Sequence, residues 1–201
     1  RDLPEFQRTT FREWFADRDR VPPAEPDRKV VLYADLYTNY MMVERGKAAV
    51  RALEALGVEV LVPSVPGAGR APLSQGMIDT ARSKAERVTE DLGPYVEEGY
   101  DVVVIEPSDL AMFREDYERL LPEGSAEPLA ENSYEILEYV YGLLANGADT
   151  DGLNLADDET VAYHSHCQQR TMGLEEYSLA VLDKCGYDVT TSDVECCGMA
   201  G

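Results

Sequence analysis

Short apolar runs and longer amphipathic stretches alternate along most of this chain. Residues 30–34, 58–62 and 101–105 are compact apolar runs bounded by polar or glycine positions, and each predicts a strand. Residues 46–57 place Ala49, Val50, Leu53 and Leu56 on one face and close on Gly57, which predicts an amphipathic helix with a glycine stop. A loop is expected over 63–72, then a long polar-faced helix over 74–98 with a break near Gly93-Pro94. Further helices are expected over 108–121 and 127–144, followed by an acidic, glycine-containing loop over 146–158. Residues 160–164 predict a strand, 171–185 a helix and 187–190 a last strand. This alternation predicts an α/β fold, with helices layered around a mostly parallel sheet.

Residues 1–28 read as a separate arm. Leu3, Phe6, Phe11, Trp14 and Phe15 recur at helical spacing, and Val21-Pro22-Pro23-Ala24-Glu25-Pro26 reads as a linker.

The chain also resembles itself. A shift of 129 positions sets Leu53-Glu54 on Leu182-Asp183, and Gly57, Glu59 and Val60 on Gly186, Asp188 and Val189. It also sets Gly69 and Ala71 on Gly198 and Ala200; with a short gap upstream, Asp35 falls opposite Cys167. The expectation is two pseudo-repeated βαβ-type halves, the first over 29–150 and the second beginning within 151–201.

Composition narrows the function. The 201 residues carry 39 Asp and Glu against 18 Lys and Arg, a net charge of −21. That charge repels phosphate backbones and anionic lipid, so it argues against a nucleic-acid partner. With 44% hydrophobic and 28% charged residues the chain is globular, and no apolar stretch has the length of a transmembrane segment. The lysines are only Lys29, Lys47, Lys84 and Lys184. High acid with little lysine suits a protein of a salt-loving organism, where molar salt screens self-repulsion; an ordinary acidic protein is the alternative. The chain opens on Arg1 without a leader and stops at Gly201 just past a cysteine-glycine cluster. A fragment of a longer cytoplasmic protein is expected, peripheral to a membrane only through partners.

The cysteines carry the chemistry. Cys167, Cys185, Cys196 and Cys197 are all near the end of the chain. Adjacent cysteines seldom bridge each other, so metal or redox chemistry is a better reading than a disulfide framework. By the internal shift, Cys167 ends a strand and Cys196-Cys197 precede a glycine loop, where the first half has Asp35 and Gly67-Ala68. Strand ends and the loops after them are where α/β sheets place ligands, and thiolates there can converge on one soft metal. Cys185 aligns with Leu56 and is expected to be buried core. His164 and His166 flank the thiols. His166 with the three cysteines makes a possible zinc set without the usual CxxC spacing; a hydrogen bond from His166 to a ligand is the other reading. Ser108 or Asp109 is expected to cap a helix, and Gly67-Ala68-Gly69-Arg70 matches an anion-cradling loop in composition alone.

Several segments in order resemble a known family. Cys196-Cys197-Gly198-Met199-Ala200-Gly201 resembles the CCG signature of the cysteine-rich domain, and His164-Ser165-His166-Cys167-Gln168-Gln169 resembles its HGHCHQ stretch. Asp35-Leu36-Tyr37-Thr38-Asn39-Tyr40 is similar to DTFTNY. Residues 69–76 are similar to CCGRPLISKG without its cysteines, and Glu106-Pro107-Ser108-Asp109 to EPSC with Asp for Cys. The family includes the cysteine-rich component of heterodisulfide reductase and the iron–sulfur subunits of glycolate oxidase and anaerobic glycerol-3-phosphate dehydrogenase. It also includes the C-terminal region of FAD-linked oxidases of D-lactate, glycolate or D-2-hydroxyglutarate.

The resemblance implies electron transfer. An upstream flavin domain would oxidise a 2-hydroxy acid, a ferredoxin-like domain would relay electrons, and an iron–sulfur cluster on Cys167, Cys196 and Cys197 would pass them to an acceptor. Asp35, Gly67, Ala68 and Asp109 stand where relatives can carry cysteines, so the first half is expected to hold no metal. Three thiols are one short of the usual four, so this stretch alone is expected to lack an intact cluster and to be inactive by itself. The rival readings are a cluster-free module that docks an oxidase to its electron acceptor, and a zinc-stabilised structural domain.

Overall fold

The computed structural model describes residues 5–19, 26, 28–153, 155–156 and 159–192. The elements begin with α1 (Phe11–Asp17), β1 (Arg28–Tyr33), α2 (Leu36–Tyr40), α3 (Val43–Ala55), β2 (Val58–Leu61), α4 (Arg70–Ser74), α5 (Ile78–Glu97) and β3 (Asp101–Val104). There follow α6 (Pro107–Ala111), a π-helical turn (Met112–Asp116), α7 (Tyr117–Leu120), α8 (Glu127–Glu131), β4 (Ser133–Glu135) and α9 (Ile136–Ala145). The chain continues through β5 (Glu159–Tyr163), α10 (Cys167–Thr171), α11 (Glu175–Lys184) and β6 (Tyr187–Thr191).

The fold is α/β. Four parallel strands run in the order β2-β1-β3-β4, and β5 pairs in parallel with β6 as a separate two-stranded sheet. Both faces of the larger sheet are buried, as parallel sheets require. Val31, Tyr33, Val102 and Val104 point into one core, under α5 and the α6–α7 segment. Val30, Leu32, Val103 and Ile105 point into the other, against α1, α3, α9 and α11. The period of two along β1 and β3 is therefore satisfied on both sides. Ala81, Ala85, Val88 and Leu92 give α5 one continuous apolar stripe. The aromatic arm docks on this core through Phe11, fully buried, whose helix is closed by a capping box between Thr10 and Glu13.

Several expectations are corrected. The helix expected over 127–144 is two helices separated by β4. Ser133 to Glu135 pair with Val102 to Val104, and the Arg114 guanidinium donates twice to the Ser133 carbonyl, at 2.9 and 2.6 Å. Glu135 then restarts the helix, its carboxylate accepting from the Leu137 and Glu138 amides. Pro94 does not break α5; both it and Glu90, whose carbonyl it leaves free, are exposed, so water takes the bond. The loop expected over 63–72 already contains the start of α4, and the helix expected over 171–185 begins only at Glu175, after the short α10 and Gly173 at φ +71°.

The internal likeness is visible in the order of elements. β1-α2-α3-β2 and β5-α10-α11-β6 are both strand, short helix, long helix, parallel strand. Leu56 and Cys185 are the C-caps of the two long helices, each followed by a left-handed glycine, Gly57 at φ +80° and Gly186 at φ +87°. Upstream the register differs from the sequence alignment. Asp35 and His166 are the equivalent N-caps, so Cys167 stands opposite Leu36, not Asp35.

Among the described residues no helix is long and apolar enough to cross a membrane.

Candidate functional site

The strand order reverses between β1 and β3, and such a reversal opens a crevice at the carboxyl ends of those strands. Three loops meet there. Asp35, fully buried after β1, caps α2: its Oδ1 accepts from the Thr38 amide at 2.9 Å. Its Oδ2 is buried without a hydrogen-bond partner among the described residues. From the loop after β2, the Pro66 and Ala68 carbonyls accept from the hydroxyls of Tyr33 (2.9 Å) and Tyr117 (2.8 Å). The Arg12 guanidinium bridges the same two loops, donating to the carbonyls of Ala34 and Val65.

After β3 comes Glu106, which caps α6. Ser108 was expected to cap this helix, or Asp109; instead the Ser108 hydroxyl donates to Glu106 at 2.7 Å, and Pro107 takes the first helical position. Asp109 lies one turn into the crevice. Burial pushes its carboxyl up to about 7, the charges of Asp35 and Glu106 push the same way, and Arg70 opposes them. Arg70 donates to the Ser108 carbonyl at 3.2 Å and pairs with Asp116, tying the loop after β2 to that after β3. Asp35, Ala68 and Asp109, the positions at which the resemblance implied lost cysteines, are thus linked through this one crevice.

The second sheet presents its own strand end. Ser165 is buried after β5, and the Nε2 of His164 is buried without a partner among the described residues. His166 caps α10, its Nδ1 accepting from the Gln168 amide at 3.2 Å. Cys167 is the first residue of α10 and its thiol is exposed. Gln169 locks the short helix down from within: it accepts from Tyr163 and donates to Ser178, both at 2.7 Å.

The two strand ends face each other. His166 Nε2 lies 3.6 Å from Glu106 Oε1, and Arg45 reaches the other oxygen of the same carboxylate at 3.9 Å. With one ring nitrogen used as a cap and the other turned to Glu106, His166 is placed to brace the segment before Cys167. Glu106 as the hub between halves was missed in the sequence; a proline at the first helical position was the available signal.

Cys196 and Cys197 lie outside the described residues. Among the described residues no group of three His, Cys, Asp or Glu side chains is arranged to hold a metal ion. Cys185, expected as buried core, is only partly buried, packed at the edge of the second core, where burial raises its thiol pKa.

No family model matches the chain, and no solved structure does. Curated relatives do. The chain is 25% identical over 179 residues to D-2-hydroxyglutarate dehydrogenase of Escherichia coli (strain K12), matching 87% of its own length but 17% of the relative's. It is 28% identical over 183 residues to lactate utilization protein A of Bacillus velezensis, covering 86% of itself and 73% of that protein. Thus it spans under a fifth of the dehydrogenase and nearly three quarters of the shorter relative. With lactate utilization protein A of Bacillus pumilus the identity is 30% over 184 residues, again across 86% and 73% of the two lengths, and the chain belongs to the lactate utilization protein A family.

Proposed function

We propose that this chain is an electron-transfer domain of the CCG type, serving the oxidation of a 2-hydroxy acid such as lactate or 2-hydroxyglutarate. Cys167, Cys196 and Cys197 would hold an iron–sulfur cluster, a fourth ligand coming from elsewhere in the protein. The observation that supports the reading is Cys167: an exposed thiol at the first position of α10, directly after His166, whose ring lies 3.6 Å from Glu106 across the two halves. The donor chemistry fits in the second half only. In the first half carboxylates and Ala68 replace thiolates, which does not suit an iron–sulfur cluster. A bound cluster would supply one-electron transfer. Glu106 and His166 would fix the segment before Cys167, and the acidic crevice beside it would set the local charge. A flavin domain and a ferredoxin-like domain of the longer protein would be the partners upstream.

A second reading is a cluster-free docking module. Leu36, Tyr37 and Met42 flank Asp35 with 57%, 50% and 49% of their surface exposed, beside the same crevice. Iron and acid-labile sulfide measured on the intact protein, purified without oxygen, separate the two. Stoichiometric iron with sulfide supports the electron-transfer reading. Zinc alone, or no metal, overturns it.

A further inference from the structure

At the opposite, amino-terminal end of the four-stranded sheet lies a cavity of about 850 Å³ that takes no part in the site above. Its wall is built from the first residues of β1 and β3, from β4, and from the facing sides of α9 and α11. Four tyrosines line it, in two packed pairs. Tyr134 and Tyr139 have ring centres 5.6 Å apart, and Tyr141 and Tyr177 5.1 Å.

The polar groups on this wall divide into two kinds. The carboxylates are already engaged. Asp101 accepts from the Tyr139 hydroxyl at 2.9 Å, Glu138 pairs with Arg114 at 2.8 Å, and Asp149 accepts from the Asp151 amide at 2.9 Å. The Arg28 guanidinium and the hydroxyls of Tyr134, Tyr141 and Tyr177 have no hydrogen-bond or ion-pair partner among the described residues. What the cavity offers a ligand is therefore aromatic faces and hydrogen-bond donors. Gly142 leaves the middle of the wall open, since a Cβ there would meet nothing within 4 Å.

We propose that this cavity binds a neutral, planar, aromatic ligand carrying carbonyl oxygens, of the quinone class. Its ring would lie against the tyrosine faces, and its carbonyls would accept from Arg28 and the free phenols. Charge disfavours an anion: with Glu138 paired to Arg114, the wall sets Asp101 and Asp149 against Arg28 in a chain of net charge −21. The volume is that of a small-molecule site, which typically runs from about 300 to about 1,000 Å³. The proposal concerns binding alone and does not depend on whether Cys167 holds a cluster.

Calorimetric titration of the intact protein with duroquinone tests it. The fully substituted ring of that probe disfavours addition of the thiols of Cys167 or Cys185. The expected result is saturable binding, at least tenfold weaker in Arg28→Gln and lost in Gly142→Leu, which fills the cavity from an open position. Thermal melts check that both variants are folded. Absence of saturable binding to the wild type overturns the proposal. So does binding that neither variant changes. Preference for phenyltrimethylammonium over duroquinone, with the same sensitivity to Gly142→Leu, would reassign the cavity to cations and overturn it equally.

Discussion

Asp35 and His166 cap equivalent short helices in the two halves of the chain, one with a carboxylate oxygen and the other with an imidazole nitrogen. Asp35 accepts from the third amide of its helix at 2.9 Å and His166 from the second amide of its own at 3.2 Å. The same backbone corner is thus capped in both halves, and the residue after the cap is Leu36 in one and Cys167 in the other. The first half carries the acidic cluster of Asp35, Glu106 and Asp109, and the second carries an exposed thiol next to His166, whose ring reaches Glu106.

Removing the first cap separates its two roles. Asp35→Ala loses the bond to Thr38 and should cost about 0.5–2 kcal/mol in a denaturant melt. Asp35→Asn keeps an acceptor and should cost less. Both remove a charge that raises the Asp109 carboxyl, so NMR titration should find Asp109 below about 7 in either variant. An unchanged Asp109 titration would show that the two carboxylates do not sense each other.

The crevice also predicts how stability depends on pH. Asp109 and Glu135 are each pushed up to about 7 in the folded protein, mainly by burial. Below about pH 4 both states hold these protons and there is no penalty. Between about pH 4 and 7 the unfolded chain ionises while the folded one stays protonated, so this contribution to stability falls as pH rises. Above about 7 the penalty is complete. Asp109→Asn should therefore gain stability over wild type at pH 8 relative to pH 4, in paired melts. An equal difference at both pH values would contradict the assignment.

The two thiols within the described residues should react differently. Cys167 is exposed, whereas Cys185 is partly buried and its pKa is raised by desolvation. In metal-free protein a thiol reagent should label Cys167 first and Cys185 slowly, as read by peptide mass analysis. Cys185→Ala should cost about 1 kcal/mol or less, since the side chain sits at the edge of the core.

Two glycines make a contrasting pair. A Cβ on Gly46 would stand 2.7 Å from a Phe11 ring carbon and 2.8 Å from the Thr38 methyl group, so Gly46→Ala should cost about 1–3 kcal/mol by overpacking. It should also loosen the docking of α1. Gly142 meets open space within α9, so Gly142→Ala should stabilise by about 0.5–1 kcal/mol. Thermal melts of both variants check the sign of each change.

The strands β1 and β3 were legible because valine-rich runs buried on both faces leave an unmistakable pattern, β2 because Val58 and Val60 alternate with half-buried positions, and α3 because its stripe ends on Gly57. β4 was not legible. Its three residues sit inside a longer apolar rhythm, and only pairing to Val102–Val104 and the Arg114 bonds to Ser133 make them a strand. The short helices α2, α4 and α10 were missed for a related reason, since five residues are too few for a periodic signal. The site was half legible: His166 and Cys167 announced themselves by type. Glu106 became visible only when folding brought the loop after β3 to within 3.6 Å of His166, a relationship with no sequence period.

The central claim is that one half of the chain binds the redox group and the other does not. The most direct measurement is the electron paramagnetic resonance spectrum of the dithionite-reduced intact protein, prepared without oxygen, with iron and sulfide quantified on the same samples. Wild type and Asp35→Ala should give the same signal and the same metal content, apart from any loss of folded protein. Cys167→Ser should lose the signal and the iron of one cluster. A signal that survives in Cys167→Ser, or that disappears in folded Asp35→Ala, would contradict the account.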